Sequence, residues 1–230
     1  MLRTYEDVVK VKKDFPSASL LLENFVGFER ELSILAVRGR SGETAFYPLV
    51  ENHHRAGILR LSIAPAPQVN SAVQKAGEQA AERVMRELDY VGVLAIEFFE
   101  CDGELVANEM APRVHNSGHW SIEGAATSQF ENHLRAVLGM PLGATTTLGA
   151  SAMLNLIGEV PEAADVLAIP DAHLHLYGKS PRPGRKVGHV TLRAANFEGL
   201  KARIARLPGF FRRPEFCLSM EPAVAAVNCK

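Results

Sequence analysis

Gly92-Val-Leu-Ala-Ile-Glu97-Phe-Phe-Glu-Cys-Asp-Gly-Glu-Leu-Val-Ala-Asn-Glu109-Met-Ala-Pro-Arg113 reads as two apolar runs folded back on one another. The first strand is expected over Tyr90–Phe99 and the second over Leu105–Met110, with Cys101-Asp-Gly-Glu104 as the turn and Pro112 ending the second strand. Glu97 interrupts the first run and Glu109 ends the second. Burying a lone carboxylate costs roughly several kcal/mol unless a cation or donors compensate it. Two carboxylates on facing strands suit a hard cation such as Mg2+, with phosphate oxygens and water completing its shell. Side chains alternate along a strand, so a two-residue Asp102-Gly103 turn would set Glu97 opposite Asn108 and turn Glu109 away. An odd loop or a single bulge restores both acids to one face, and the metal reading requires one of these. The alternative is that both glutamates are solvent-facing strand residues.

Working outward, Ala111-Pro-Arg113-Val-His115-Asn116-Ser117-Gly118-His119-Trp120 follows at once. Two histidines, an arginine, an asparagine and the chain's one tryptophan stand within eight positions, beside the carboxylate pair. Such a donor-rich loop fits anionic ligands. His119 and Trp120 could equally serve packing. Upstream, Leu20–Val26 is a short strand-like run, and Arg30–Arg38, Gly39–Glu43 and Thr44–Val50 outline a second hairpin. Between the hairpins, Val73, Ala76, Ala80, Val84 and Leu88 recur at helical spacing, predicting an amphipathic helix over 69–89. Gln129–Leu138 reads as a helix closed by Gly139. Past the turn-rich stretch Pro141–Gly149, strands are expected at Ala152–Ile157, Ala172–Tyr177 and Gly188–Leu192, and a helix at Glu198–Leu207. The order indicates an α+β fold with an antiparallel sheet. It divides into residues 1–145, a small β-rich domain over 146–207, and a patternless tail over 208–230.

Composition narrows the classes. The formal charge of −1 offers no global field for nucleic acid or an anionic membrane, so neither is an expected partner. Cys101, Cys217 and Cys229 lack metal-ligand spacing, and the N-terminus lacks the apolar core of a signal peptide. A cytoplasmic protein is the expectation.

With these residues in view, the sequence resembles the 5-(carboxyamino)imidazole ribonucleotide synthases, purine-biosynthetic members of the ATP-grasp superfamily. The likeness rests on LLENFVGFERELS (21–33), FYPLVENHHRAGILRLSIAP (46–65), YVGVLAIEFFE (90–100), NEMAPRVHNSGHWSIEGAATSQFENHLRAVLGMPLG (108–143) and HLHLYGKSPRPGRKVGHV (173–190). The 108–120 and 182–190 segments are the specific ones, because the wider superfamily lacks them. The resemblance implies an ATP-grasp C-terminal lobe followed by a small β-rich domain. It implies an ATP- and Mg2+-dependent ligase that carboxylates aminoimidazole ribonucleotide with bicarbonate through carboxyphosphate. An alternative is another ATP-grasp carboxylate–amine ligase, or a non-catalytic nucleotide-binding remnant.

Carried over position by position, the resemblance implies that Glu23, Phe25 and Val26 meet adenine and that Glu31 holds the ribose hydroxyls. His54 lies in a nucleotide-side motif, and Phe99 could lie against the nucleotide or simply pack. Glu97 and Glu109 match the magnesium ligands, while Arg113, His115 and Asn116 match the surroundings of bicarbonate and acceptor. Arg182, Arg185 and Lys186 would clamp the acceptor's phosphate. No counterpart of the family's N-terminal nucleotide-fold domain or first ATP-grasp lobe is found. The expectation is a chain of little activity alone, with exposed apolar surface, acting as a homodimer or beside a separate chain that supplies the lobe.

Overall fold

A computed structural model describes residues 2–212. The chain opens with α1 (Tyr5–Asp14), a short helix that buries no residue and is held by a Thr4–Asp7 capping box. Residues 15–29 then run without regular structure. The strand expected at Leu20–Val26 does not form: none of the described residues offers it a ladder partner, and an unpaired strand has no backbone bonds to hold it.

From Arg30 onward the sheet is built strand on strand. β1 (Arg30–Arg38), β2 (Thr44–Phe46), β3 (Val50–Arg55) and β4 (Ile58–Ala64) come first, and α2 (Ser71–Glu87) follows. The predicted Thr44–Val50 strand is therefore interrupted at Tyr47–Leu49, where Pro48 cannot donate to a ladder. The β3–β4 hairpin is a further pair, in a stretch that the sequence marks only by its family motif. On α2 the buried positions are Val73, Gly77, Ala81 and Met85. The buried stripe is thus rotated from the expected one, because a glycine admits close approach where Ile34 and Leu49 press against the helix.

β5 (Gly92–Cys101) and β6 (Glu104–Ala111) form the quoted hairpin. A short 3-10 turn (Asn116–Gly118), α3 (Ser121–Gly124) and α4 (Gln129–Leu138) follow, and Gly139 takes the left-handed conformation that ends α4. Next come β7 (Ala150–Ile157), α5 (Ala163–Leu167), β8 (Ala172–Leu176), β9 (Lys186–Ala194) and α6 (Phe197–Ile204). The tail begins with a 3-10 turn at Gly209–Arg212, where Phe211 is buried. Its remainder, with Cys217 and Cys229, lies outside the described residues.

Among the described residues, all nine strands join one sheet in the order β6-β5-β1-β3-β4-β7-β9-β8, with β2 added to β1, and every pairing is antiparallel. The sheet passes through the expected 145/146 boundary unbroken, since β4 pairs with β7. Even-numbered residues of β1 and β5 (Leu32, Ile34, Leu94, Ile96, Phe98) pack under α2. Odd-numbered ones (Leu35, Val37, Val93, Ala95) pack on Trp120 and Ala136, under α4 and the loop before it. A third cluster joins β7 and β9 to α5 and α6. The odd-numbered face is the one that carries the polar residues discussed next.

Candidate functional site

The hairpin turn is a two-residue one, with Asp102 and Gly103 both at positive φ and Cys101 opposite Glu104. Left alone, that register would pair Glu97 with Asn108. The register shifts between Glu97 and Phe98, so Asn108 is the extra residue and Glu97 stands directly opposite Glu109. The bulge that the metal reading requires is present. Across β5's other edge, Glu97 pairs with Ser33, and Glu31 pairs with Asn52 of β3, so Glu31, Ser33, Asn52, His54, Glu97 and Glu109 share a face.

A pocket of about 400 Å3 opens on this face, lined by Glu31, His54, Glu97, Asn108, Glu109, His115 and Lys186, together with Gly57 and Leu59. Ligand atoms of Glu97, Glu109 and His115 lie within 4.8 Å of one another. His115 Nε2 stands 3.6 Å from Glu97 Oε1, and His54 Nδ1 stands 2.8 Å from Glu31 Oε2. Lys186 Nζ donates to Asn116 Oδ1 at 2.9 Å. Asn116 in turn exchanges amide bonds with Asn155, which also donates to the Leu59 carbonyl. Lys186 thus reaches the pocket from β9, and Asn116 from the 3-10 turn is what holds it there.

Charge follows this geometry. Burial, together with the neighbouring Glu109 and Glu31 charges, raises the Glu97 carboxyl above the usual range; His54 and Lys186 oppose the rise. Burial pulls His54 down, but its bond to Glu31 and the acidic charges win and hold it above the ordinary histidine value. His115 is pushed down to about 4 by burial, with Arg113, Lys186 and His54 adding to it. Lys186 is lowered, chiefly by burial. Glu97 with a 13% exposed side chain and a more exposed Glu109 make an oxygen-rich mouth. Two carboxylates at an open pocket fit a hard divalent cation, and such an ion would remove the repulsion that now burdens Glu97.

Other expected site residues stand elsewhere. Glu23 and Phe25 are exposed on the irregular segment, and Val26 is half-buried there. Phe99 shares the face of Glu97, and its ring stacks on Phe28 at 4.5 Å. Arg113 is exposed and bonds the Val114 carbonyl, while Arg182 and Arg185 sit on the turn before β9 and do not line the pocket. Several residues escape a reading of the sequence: Asn108, Asn155, Ser33, Asn52, Ser62, Ser117 and Gln129. The signal for most is the one that marks Glu97, a polar residue inside an apolar run.

The comparisons with known proteins agree on one group. The ATP-grasp domain family model matches residues 1–130, and that of the phosphoribosylaminoimidazole carboxylase C-terminal domain matches 151–203. The chain is 57% identical over 207 residues to the N5-carboxyaminoimidazole ribonucleotide synthase of Pseudomonas aeruginosa, covering 90% of this chain and 57% of that one. The solved N5-carboxyaminoimidazole ribonucleotide synthetase of Thermus thermophilus superposes with a TM-score of 0.86 at 63% identity, over 89% of this chain and 57% of that one. The Aspergillus clavatus synthase, solved with ADP and 5-aminoimidazole ribonucleotide, superposes with a TM-score of 0.83 at 34% identity, over 90% and 58%. The chain spans little more than half the length of the curated relatives it matches. With a matching family model over more than half its residues, the chain belongs to the ATP-grasp family and, within it, to the group of the N5-carboxyaminoimidazole ribonucleotide synthases.

Proposed function

We propose that the chain supplies the nucleotide-hinge and metal-carboxylate part of an ATP-dependent ligase that carboxylates 5-aminoimidazole ribonucleotide with bicarbonate in purine biosynthesis. The observation that carries this reading is the Asn108 bulge, which turns Glu97 and Glu109 into one pocket with Glu31, His54 and Lys186. A bulge of this kind re-aims a side chain at a local cost to the ladder, and here it aims one acid at another. Such a juxtaposition is unfavourable unless something positive comes between them.

In this reading Glu97 and Glu109 hold Mg2+, whose charge would offset that of the ATP phosphates and of the acyl phosphate. Glu31 takes the ribose hydroxyls as an acceptor, and His54, bonded to it, fixes its orientation. Glu23, Phe25 and Val26 form the adenine hinge, with Phe99 behind it. Lys186, poised on Asn116, serves the anionic end of the ligands, and Arg185 and Arg182 on the adjacent turn extend that role to the acceptor's phosphate. Arg113, His115 and Asn116 surround bicarbonate and the acceptor amine. Residues 1–145 would form the ATP-grasp unit and 146–207 the smaller unit continuing its sheet. A cytoplasmic setting and assembly as a homodimer, or with a chain carrying the other lobe, belong to the same reading.

The test is calorimetric titration of ADP into the chain with and without Mg2+. Binding that needs Mg2+ and is lost in Glu109→Ala and Glu97→Gln is the expected result. Equal binding by the wild type and both variants would refute the metal role.

A further inference from the structure

Behind His115 runs a line of buried polar side chains that crosses three strands. Ser62 Oγ–H donates to Asn52 Oδ1 at 2.8 Å, Asn52 Nδ2–H to Ser33 Oγ at 2.8 Å, and Ser33 Oγ–H to Ser117 Oγ at 2.9 Å. Ser117 Oγ stands 2.9 Å from His115 Nδ1. All four of these residues are buried, three of them completely. Their places follow from the register: Asn52 pairs with Ser62, and Ser33 with Glu97. Buried hydroxyls and amides must find partners, so a line of this kind is satisfied only when each member donates to the next.

The polarity of the line is set at its far end. The Ser117 peptide N–H points at His115 Nδ1 at 3.3 Å, with the imidazole acting as the N-cap of the 3-10 turn. A peptide N–H can only donate, so Nδ1 must be an acceptor. The Ser117 hydroxyl must then donate to Nδ1 as well, Ser33 must donate to Ser117, and the amide of Asn52 and the hydroxyl of Ser62 follow in order. The reverse order would set a ring N–H against a peptide N–H. With Nδ1 accepting, the ring proton of neutral His115 sits on Nε2, the atom that faces Glu97 Oε1 at 3.6 Å.

We propose that Ser62, Asn52, Ser33 and Ser117 are positioning residues that lock His115 in the Nε2–H tautomer, making it a hydrogen-bond donor into the pocket and excluding it as a third metal ligand. Although His115 stands with Glu97 and Glu109 in the one candidate metal cluster among the described residues, a metal-bound Nε2 needs its lone pair free and the proton on Nδ1. A cation held by Glu97 and Glu109 would then rest on oxygen ligands alone, the preference of Mg2+. His115 keeps its N–H for Glu97 or for an anionic ligand oxygen. The consequence for catalysis rests on the nucleotide-and-metal reading above; the tautomer itself does not.

The decisive measurement is long-range 1H–15N correlation NMR of the whole chain carrying 15N-histidine, at fixed neutral pH. The His115 signals are identified by their loss in His115→Gln. The expected pattern is the Nε2–H tautomer, retained when Mg2+ and ADP are added. An Nδ1–H pattern in the free chain, or a switch to it on adding Mg2+ and ADP, overturns the proposal. Ser33→Ala, which cuts the line but leaves the peptide donor, should raise the Nδ1–H share about fivefold, the ratio carried by one buried hydrogen bond. Ser117→Thr, which keeps the hydroxyl, should keep the wild-type pattern. A Ser33→Ala spectrum identical to wild type would remove Ser33, Asn52 and Ser62 from the mechanism. Calorimetry on the same sample separates the two ideas: absent ADP binding with an Nε2–H signal defeats the nucleotide reading alone, and Mg2+-ADP binding with an Nδ1–H signal defeats this one alone.

Discussion

The hairpin at 92–111 and the segment at 20–28 carry the resemblance to the same family, yet they are embedded very differently. β5 is paired on both edges, by β1 and β6, and its apolar residues are covered from both faces. Leu20, Leu21, Leu22 and Phe25 are 58%, 85%, 79% and 73% exposed, and no ladder reaches them. Both stretches look like strands on paper, because apolar content is a property of the residues. Strand formation is a property of what faces them. An apolar run becomes core only where another element removes it from water.

The strongest way to test that contrast is to open the layer beneath the hairpin. Trp120 is fully buried, packs with Ala95 and Ala111, and meets Tyr47 edge-on at 6.3 Å. Trp120→Ala should cost about 3–5 kcal/mol in urea unfolding. A loss below about 1 kcal/mol would show that this layer is loosely packed and would erase the contrast.

Acid should come next. His119 and His189 are held down to about 4 and about 3, in both cases foremost by burial. They face one another at 5.2 Å among His175, Tyr177, Phe130 and Gln129, with Lys186 adding positive charge, His115 close by and Glu123 bonded to His175. Their folded values lie below the ordinary 6.5, so on acidification the unfolded chain takes up protons first. Stability is therefore full above 6.5 and is lost as pH falls toward the folded values. Each group contributes at most about 1.4 kcal/mol per pH unit, so the pair should remove roughly 2–3 kcal/mol between about pH 7.5 and 5.5. Glu97, raised by burial, works the other way and gains stability as it protonates. Urea midpoints across this range check the slope, which should flatten in His189→Asn. An unchanged slope in that variant would mean the stack titrates normally.

A smaller effect is expected at Gly118, whose missing Cβ leaves room for Leu35 and for Gln129 Oε1, 2.7 Å from where the Cβ would stand. Gln129 clamps His115 through both backbone groups, accepting from its N–H at 2.9 Å and donating to its C=O at 2.7 Å. Gly118→Ala should therefore cost about 1–3 kcal/mol by overpacking. It should also shift the His115 resonances, a readout that mere destabilisation elsewhere would not give. A stable variant with unmoved His115 signals would show that the clamp is slack.

What is legible in the sequence divides along physical lines. The carboxylate hairpin can be read because Glu97 breaks an apolar run, and alternation then demands a bulge before Glu109 can join it. The helix at 129–138 can be read because Gly139 closes it, and the structure adds Ser128 as the cap of its first turn. The rotation of α2 cannot, since Gly77 is buried only by what packs on it. Nor can the Ser62–Asn52–Ser33–Ser117 line, whose neighbouring members are 10 to 84 positions apart and meet only through the strand register. Lys186 reads in sequence as part of a phosphate clamp. Its separation from Arg182 and Arg185 arises from Asn116, a partner 70 positions away.

The smallest expected effect bears on the other side of the comparison. Leu21 and Leu22 lie in a stretch with no strand partner and with most of their surface in water. Replacing an exposed apolar residue removes little burial, so Leu21→Ser and Leu22→Ser should each change unfolding free energy by no more than about 0.5 kcal/mol. Contrast with Trp120 makes the result informative, because both positions sit inside motifs of the same family likeness. If Leu21→Ser cost more than about 1 kcal/mol, the segment would have to pack against the chain in solution, and its exposure would no longer distinguish it from the hairpin. A null effect on unfolding combined with reduced light scattering at high concentration would instead tie these leucines to contacts between molecules, as exposed apolar clusters commonly make.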